Sequence, residues 1–118
     1  MNLRISLSHA AVAVGLLLTV SACTLKPPIS VAVRESLIGQ GLVIAVTNTS
    51  DEHLHEVTVK IESPSGETRE YFQPTLDPHE SVNVGWLKLD GWPIPQGSRV
   101  KVSCKGYPLA GGPWKLSE

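Results

Sequence analysis

The chain alternates apolar and polar residues with a period of two after residue 28, and turn residues separate the alternating runs. Alternation of this kind is typical of β-strands that bury one face. Five clear runs begin at Ile29, Leu42, Val57, Val82 and Val100. A weaker, charged run over residues 68–72 predicts an edge strand. A last strand is expected around Trp114 and Leu116.

Turn residues between the runs complete the pattern. Pro64 and Gly66 have the chemistry of a tight turn, and Gly39-Gln40-Gly41 predicts a hairpin turn. No helical periodicity follows the apolar N-terminal segment. About seven short strands in a chain of this size predict an all-β fold, a small antiparallel two-sheet sandwich. A small open barrel is the alternative.

The N-terminal segment carries a targeting signal. Residues 10–20 are apolar and uncharged. They supply about half of the ~20 apolar residues that a transmembrane helix needs, so they predict a cleaved signal peptide. The run ends in Val20-Ser21-Ala22-Cys23, which resembles the lipobox of bacterial lipoproteins. An ordinary cleaved signal followed by a free thiol is the alternative.

The lipobox resemblance implies a lipid anchor on Cys23. Cys23 would become the first residue of the mature chain and carry a diacylglyceryl thioether and a further acyl chain, such as palmitate, on its amine. Three acyl chains exceed the two that stable anchoring needs. Thr24 stands where inner-membrane lipoproteins of enteric bacteria carry Asp. The resemblance therefore implies the bacterial cell envelope, at the periplasmic face of the outer membrane.

A second motif extends over much of the remaining chain. It reads Val46-x-Asn48-x-Ser50, then Leu54-x-x-Val57-x-Val59, then Leu76-x-Pro78. This pattern resembles small bacterial immunoglobulin-like domains of the FxLYD type, in which a leucine after a polar turn plugs the end of the sandwich. The resemblance implies an immunoglobulin-like sandwich of about seven strands, a fold that usually binds or spaces other proteins.

These observations divide the chain into three parts. Residues 1–22 are the predicted signal peptide, residues 23–28 a lipid-anchored linker stiffened by Pro27 and Pro28, and residues 29–118 the sandwich domain. Loss of Arg4 with the signal leaves nine Lys and Arg against eleven Asp and Glu. No basic run occurs along the sequence, so we expect neither a nucleic-acid partner nor a polybasic supplement to the anchor.

The second cysteine, Cys104, falls at the inward parity of the run that begins at Val100. Acylation would occupy the thiol of Cys23, so no disulfide within the chain is expected. Cys104 is then predicted to be a buried, inert thiol. An intermolecular disulfide is the alternative.

The histidines offer a weak metal site. His53 and His55 are two residues apart, so on a strand they would share one face and could ligate Zn or Cu, with His79 as a third ligand. Two histidines are too few for a closed site, and a solvated turn is the preferred interpretation. No G-x-S-x-G elbow or phosphate-binding glycine loop occurs. We therefore expect no enzymatic activity and no cofactor.

The segment Trp92-Pro93-Ile94-Pro95 places two large apolar side chains in a loop. It either caps the core or forms a partner-binding loop through Trp92 and Ile94, since Trp is enriched at binding hot spots. Leu87 and Leu89 have the parity opposite to that of Trp86. Either a bulge shifts the register there, or both faces of that strand are covered.

The sequence favours one function over two others. The first is a lipid-anchored, non-catalytic envelope lipoprotein that binds a protein partner or assembles a complex at the membrane surface. The second is a periplasmic inhibitor or immunity lipoprotein that uses residues 92–95. The third is a metal-binding lipoprotein that uses His53 and His55.

Overall fold

A computed structural model gives the fold of the chain and describes residues 25–117. The predicted signal peptide and the predicted lipidation residue, Cys23, lie outside these residues.

The described chain forms seven strands and one short 3-10 helix. The strands are β1 (Ile29–Glu35), β2 (Leu42–Asn48), β3 (Leu54–Glu62), β4 (Thr68–Leu76), β5 (Ser81–Val84), β6 (Arg99–Ser103) and β7 (Gly111–Lys115), and the 3-10 helix is Trp86–Leu89. One sheet has the order β1-β2-β5 and the other the order β4-β3-β6-β7, with every pairing antiparallel. The predicted two-sheet sandwich is confirmed, and β4 is the edge strand expected around residues 68–72.

The alternation decides which side chains form the core. On β2, alternate residues from Leu42 to Asn48 are buried, and on β3 the same holds for Val57, Val59 and Ile61. Because side chains alternate across a strand, each sheet turns one apolar face to the other sheet. Cys104 follows β6 and is buried in the same core, as predicted.

The parity of the buried residues of β3 changes near its start, although its register with β4 is constant. Leu54 and Val57 are both buried although they are three residues apart. Glu56, between them, has a φ of 51°, a left-handed conformation that turns the next residue inward. His55 is left on the exposed face, where its carbonyl accepts a hydrogen bond from Lys105 N at 3.0 Å.

The structure shows neither of the two arrangements predicted for Leu87 and Leu89, which were a bulge and a strand covered on both faces. β5 ends at Val84, and residues 86–89 form the 3-10 helix. With three residues per turn, this helix buries Leu89 and leaves Leu87 exposed. Trp86 is half-buried and begins this helix, whereas the alternation predicts that it lies on the strand.

The loop over residues 92–95 closes one end of the sandwich. Ile94 is fully buried, and its carbonyl accepts a hydrogen bond from Leu42 N at 2.9 Å. Gly41 has a φ of 79°, and a Cβ there would lie 2.8 Å from both Ile94 N and Ile94 O. Glycine at position 41 therefore allows the loop backbone to approach β2 closely.

The side chain of Asn48 closes the opposite end. Its Nδ2 donates to the carbonyls of Glu52, Leu76 and Asp77 at 2.7, 3.1 and 3.1 Å. Its Oδ1 accepts from Ser50 N at 2.9 Å and from Ser50 Oγ at 2.7 Å. Asn48 ends β2 and Leu76 ends β4, so one buried amide joins the two sheets.

The described part of the predicted linker, residues 25–28, lies on the sandwich. Leu109 N donates to Leu25 O at 3.0 Å, and Thr49 N donates to Pro28 O at 2.9 Å. Pro27 is buried. From Leu25 onward the chain is therefore attached to the folded domain, and any free tether is confined to the residues before it.

Replacement of Asn48 by Ala is expected to lower the free energy of unfolding by about 3 kcal/mol, because it removes the amide that joins the two sheets and takes a donor from the buried Leu76 contact. Urea unfolding measures the change. The control is Asn83→Ala, which removes an exposed amide from β5 and should change stability by at most about 0.5 kcal/mol. Equal effects of the two substitutions would contradict the role of the Asn48 amide.

Replacement of Ile94 by Ala is expected to cost about 2–5 kcal/mol of stability, the usual range when a large core side chain is truncated. The control is Leu87→Ala, since Leu87 is exposed and its loss should change stability by at most about 0.5 kcal/mol. Thermal and urea unfolding both report the difference. An Ile94→Ala chain as stable as the parent would show that residues 92–95 do not cap the core.

Candidate functional site

Among the described residues, the three most exposed large aliphatic side chains lie at the end of the sandwich that carries the β1–β2 turn. Leu37 is 95% exposed, Leu87 is 77% exposed and Ile38 is 63% exposed. Together with Trp86 they line one groove of about 330 Å³. We call these four residues the apolar tip.

Backbone hydrogen bonds hold the first half of the apolar tip in place. Ser36 N donates to Gly41 O at 2.9 Å, and Gly39 N donates to Ser36 O at 3.1 Å. Ile38 N also donates to Ser36 Oγ at 3.3 Å. Leu37 and Ile38 therefore project from a closed turn, so their exposure is a property of an ordered loop.

The 3-10 helix presents the second half. Lys88 N donates to Gly85 O at 3.1 Å, and Gly91 N donates to Trp86 O at 2.8 Å. The burial of Leu89 fixes the rotation of this short helix and directs Leu87 outward. Trp92 and Trp114 pack against the core cluster, whereas Trp86 lines the groove.

The floor and the rim of the groove have different chemistry. Val43 lies on the floor beside Gly85, where a Cβ would come within 3.1 Å of Val43 Cγ2. Arg34, Asn83 and Lys88 contribute polar groups around the groove. An apolar centre within a polar rim is the usual anatomy of a protein-binding interface. Exposed aliphatic clusters of this kind commonly mark interaction sites.

Sequence reasoning missed most of the apolar tip. Leu87 was noticed only for its parity, and Leu37 and Ile38 were not singled out. The available signal was two adjacent aliphatic residues directly before Gly39, in a connection that usually carries polar residues.

The structure separates the two residues of the predicted partner-binding loop. Ile94 has no exposed surface, so its side chain belongs to the core and a direct contact with a partner is excluded. Trp92 is half-buried against the core, and the Arg69 guanidinium lies 5.0 Å from its ring centroid. The core-cap alternative therefore describes Ile94, and the assignment of Ile94 to a binding surface is corrected.

The histidines pair with separate carboxylates. His53 Nδ1 lies 2.9 Å from Asp77 Oδ1, and His79 Nε2 lies 2.7 Å from Asp51 Oδ1. His55 is exposed on β3 and completes no set with them. Over residues 25–117, no group of three or more His, Cys, Asp or Glu side chains is placed to hold a metal ion.

Cys104 is a free, buried thiol. Burial raises its pKa to about 11, because the apolar surroundings penalise the thiolate. The thiol is protonated at neutral pH, and the thiolate is the form that attacks electrophiles or binds metals. This protonation state fits the inert role that the sequence predicts.

Every buried side-chain nitrogen and oxygen in the described part of the chain has a hydrogen-bond partner. Between residues 25 and 117, no helix is long and apolar enough to cross a membrane.

Comparisons with known proteins add no relative. A scan against protein-family models found no match, and neither a search of curated proteins nor a search of solved structures found one. The geometry of the apolar tip therefore carries the functional interpretation.

Proposed function

We propose that this chain is a lipid-anchored, non-catalytic lipoprotein of the bacterial envelope that binds a protein partner through its apolar tip. The observation that carries the proposal is the groove between Leu37, Ile38 and Leu87, which an ordered turn and a short helix hold open. Burial of exposed aliphatic side chains is the main source of affinity at such surfaces.

The position of the tip suits an anchored protein. The described chain begins at the end of the sandwich where Ile29 pairs with Asn48. β1 then runs for seven residues at a rise of about 3.3 Å each, so the β1–β2 turn lies about 20 Å away. An anchor on Cys23 would hold the protein at one end and leave the tip accessible to a partner.

The other two functions have less support. The inhibitor hypothesis relied on a protruding loop at residues 92–95, and Ile94 of that loop is a core residue. The metal hypothesis relied on His53 and His55, and His53 already has Asp77 as its neighbour.

Photo-crosslinking in the native membrane tests whether a protein partner contacts the apolar tip. A photoreactive residue at position 87 is expected to give a discrete adduct with one envelope protein. The combined substitution Leu37→Gln, Ile38→Gln and Leu87→Gln should reduce co-purification of that protein by about tenfold or more. Its stability should change by no more than about 0.5 kcal/mol per site, since all three side chains are exposed.

The matched control is Leu109→Gln, which alters an exposed leucine of the β6–β7 connection. This variant should co-purify with the partner as the parent does. Loss of the partner from the control, or full retention by the triple variant, would contradict binding at the apolar tip.

Replacement of Cys23 by Ser tests the anchor. The variant is expected to lose palmitate incorporation and to leave the membrane fraction, because the acylated sulfur is removed. Its unfolding transition should match that of the parent, since the strands of the described residues begin at Ile29, after the substituted position. Cys104→Ala is the control and should keep its label. A Cys23→Ser chain that stayed fully membrane-bound would refute the lipoprotein assignment.

A further inference from the structure

The outer face of the four-stranded sheet collects basic side chains from three strands. β3 contributes Lys60, β6 contributes Arg99 and Lys101, and β7 contributes Lys115. Lys60 lies directly opposite Lys101, and Arg99 lies directly opposite Lys115. We call these four residues the basic face.

The basic face is not neutralised within the protein. Over the described residues, none of its four side chains makes an ion pair or a side-chain hydrogen bond. Other cations do find partners: Lys105 Nζ lies 3.6 Å from Glu56 Oε2, and Lys88 Nζ donates to Asn83 O at 2.8 Å. Like charges opposite each other on neighbouring strands repel, so this arrangement favours an anionic occupant.

The two carboxylates on this sheet face do not balance the cations. Glu62 lies directly opposite Arg99, and Glu70 of the edge strand β4 lies directly opposite Lys60, so four cations face two carboxylates. The outer face of the other sheet is different. Its strands β2 and β5 carry no charged side chain, and β1 contributes Arg34 to this face. The larger number of basic side chains is therefore on the four-stranded sheet.

The surface between these side chains is concave. A depression of about 170 Å³ is lined by Lys60, Glu62, Arg99, Lys101 and Pro113. Such a depression can accept a phosphate group, for which lysine and arginine are the usual partners. Phe72, on the same face beside Thr58, is 53% exposed and adds apolar surface.

The N-terminal segment lies beside β7, an edge strand of the same sheet. Lys26 Nζ lies 3.5 Å from Gly112 O, next to Pro113 of the depression. Leu25 is two residues after Cys23, and two residues span at most about 7 Å. A lipid on Cys23 would thus bring the bilayer to the edge of the sheet that carries the basic face.

We propose that the basic face lies on the anionic phospholipid headgroups of the membrane that holds the anchor. This inference rests on the proposed lipid anchor and adds an orientation to it. Anionic lipids attract basic side chains within about a Debye length of the surface. With the four-stranded sheet against the bilayer, Arg34 and Asn83 of the opposite sheet, which border the groove of the apolar tip, face away from the membrane.

Lysine footprinting of the acylated full chain tests the orientation. The protein is reconstituted into vesicles of phosphatidylcholine, with or without phosphatidylglycerol, and labelled with an amine-acetylating reagent. Lys60, Lys101 and Lys115 are expected to react about fivefold more slowly in the anionic vesicles. Lys88 is the internal control and should react equally in both. The protection should vanish in about 1 M salt, where the Debye length is about 3 Å.

A pair of substitutions sharpens the test. Lys60→Gln combined with Lys101→Gln should remove the protection of Lys115, whereas Lys88→Gln should leave it unchanged. Both variants should fold normally, since all three lysines are exposed.

The outcomes separate the orientation from the anchor. A chain that floats with neutral vesicles but shows equal labelling in both compositions would overturn the basic-face proposal and leave the lipid anchor standing. A chain that fails to float with neutral vesicles would overturn both. Protection of the same lysines in native membranes but not in anionic vesicles would assign the face to an acidic protein and overturn the lipid proposal.

Discussion

The buried amide of Asn48 is the interaction on which the end of the sandwich depends. Its Nδ2 group donates to the backbone carbonyls of Glu52, Leu76 and Asp77, and the contact with Leu76 O is buried. Because this amide joins the end of β2 to the end of β4, it fixes the position at which the two sheets meet. Leu54 and Leu76 can then face each other across β3 and β4 as a dry plug.

Alternation together with the turn residues favoured the sandwich over a small barrel, because a strand with one buried face has a sequence period of two. It failed where the backbone changes its geometry at a single residue. Glu56 takes a left-handed conformation without the glycine that usually marks one. At Leu87 and Leu89 the change of parity correctly indicated where the regular strand ends. A bulge, a strand covered on both faces and a 3-10 helix all produce this change, so the sequence could not distinguish them.

The two surfaces were harder to predict than the fold, for a different reason. Lys60 and Lys101 are far apart in sequence, and only the order of the strands makes them neighbours. The sequence shows no basic run, yet the folded protein has a basic face. The apolar tip also combines two distant segments, the β1–β2 turn and the 3-10 helix. In contrast, Ile94 stands out in the sequence as an aliphatic residue between two prolines. Its burial depends on β2, which the sequence of residues 92–95 does not reveal.

The attachment of residues 25–28 to the sandwich would limit how the protein searches for a partner, if Cys23 carries the proposed lipid. A lipoprotein on a long flexible tether samples a hemisphere of space above its anchor. Here the hydrogen bond between Leu109 N and Leu25 O removes most of that slack. Encounters would then depend on lateral diffusion of the lipid itself, and the module would meet partners at a fixed height above the bilayer. Such confinement raises the local concentration of partners in the same membrane and disfavours those beyond its reach.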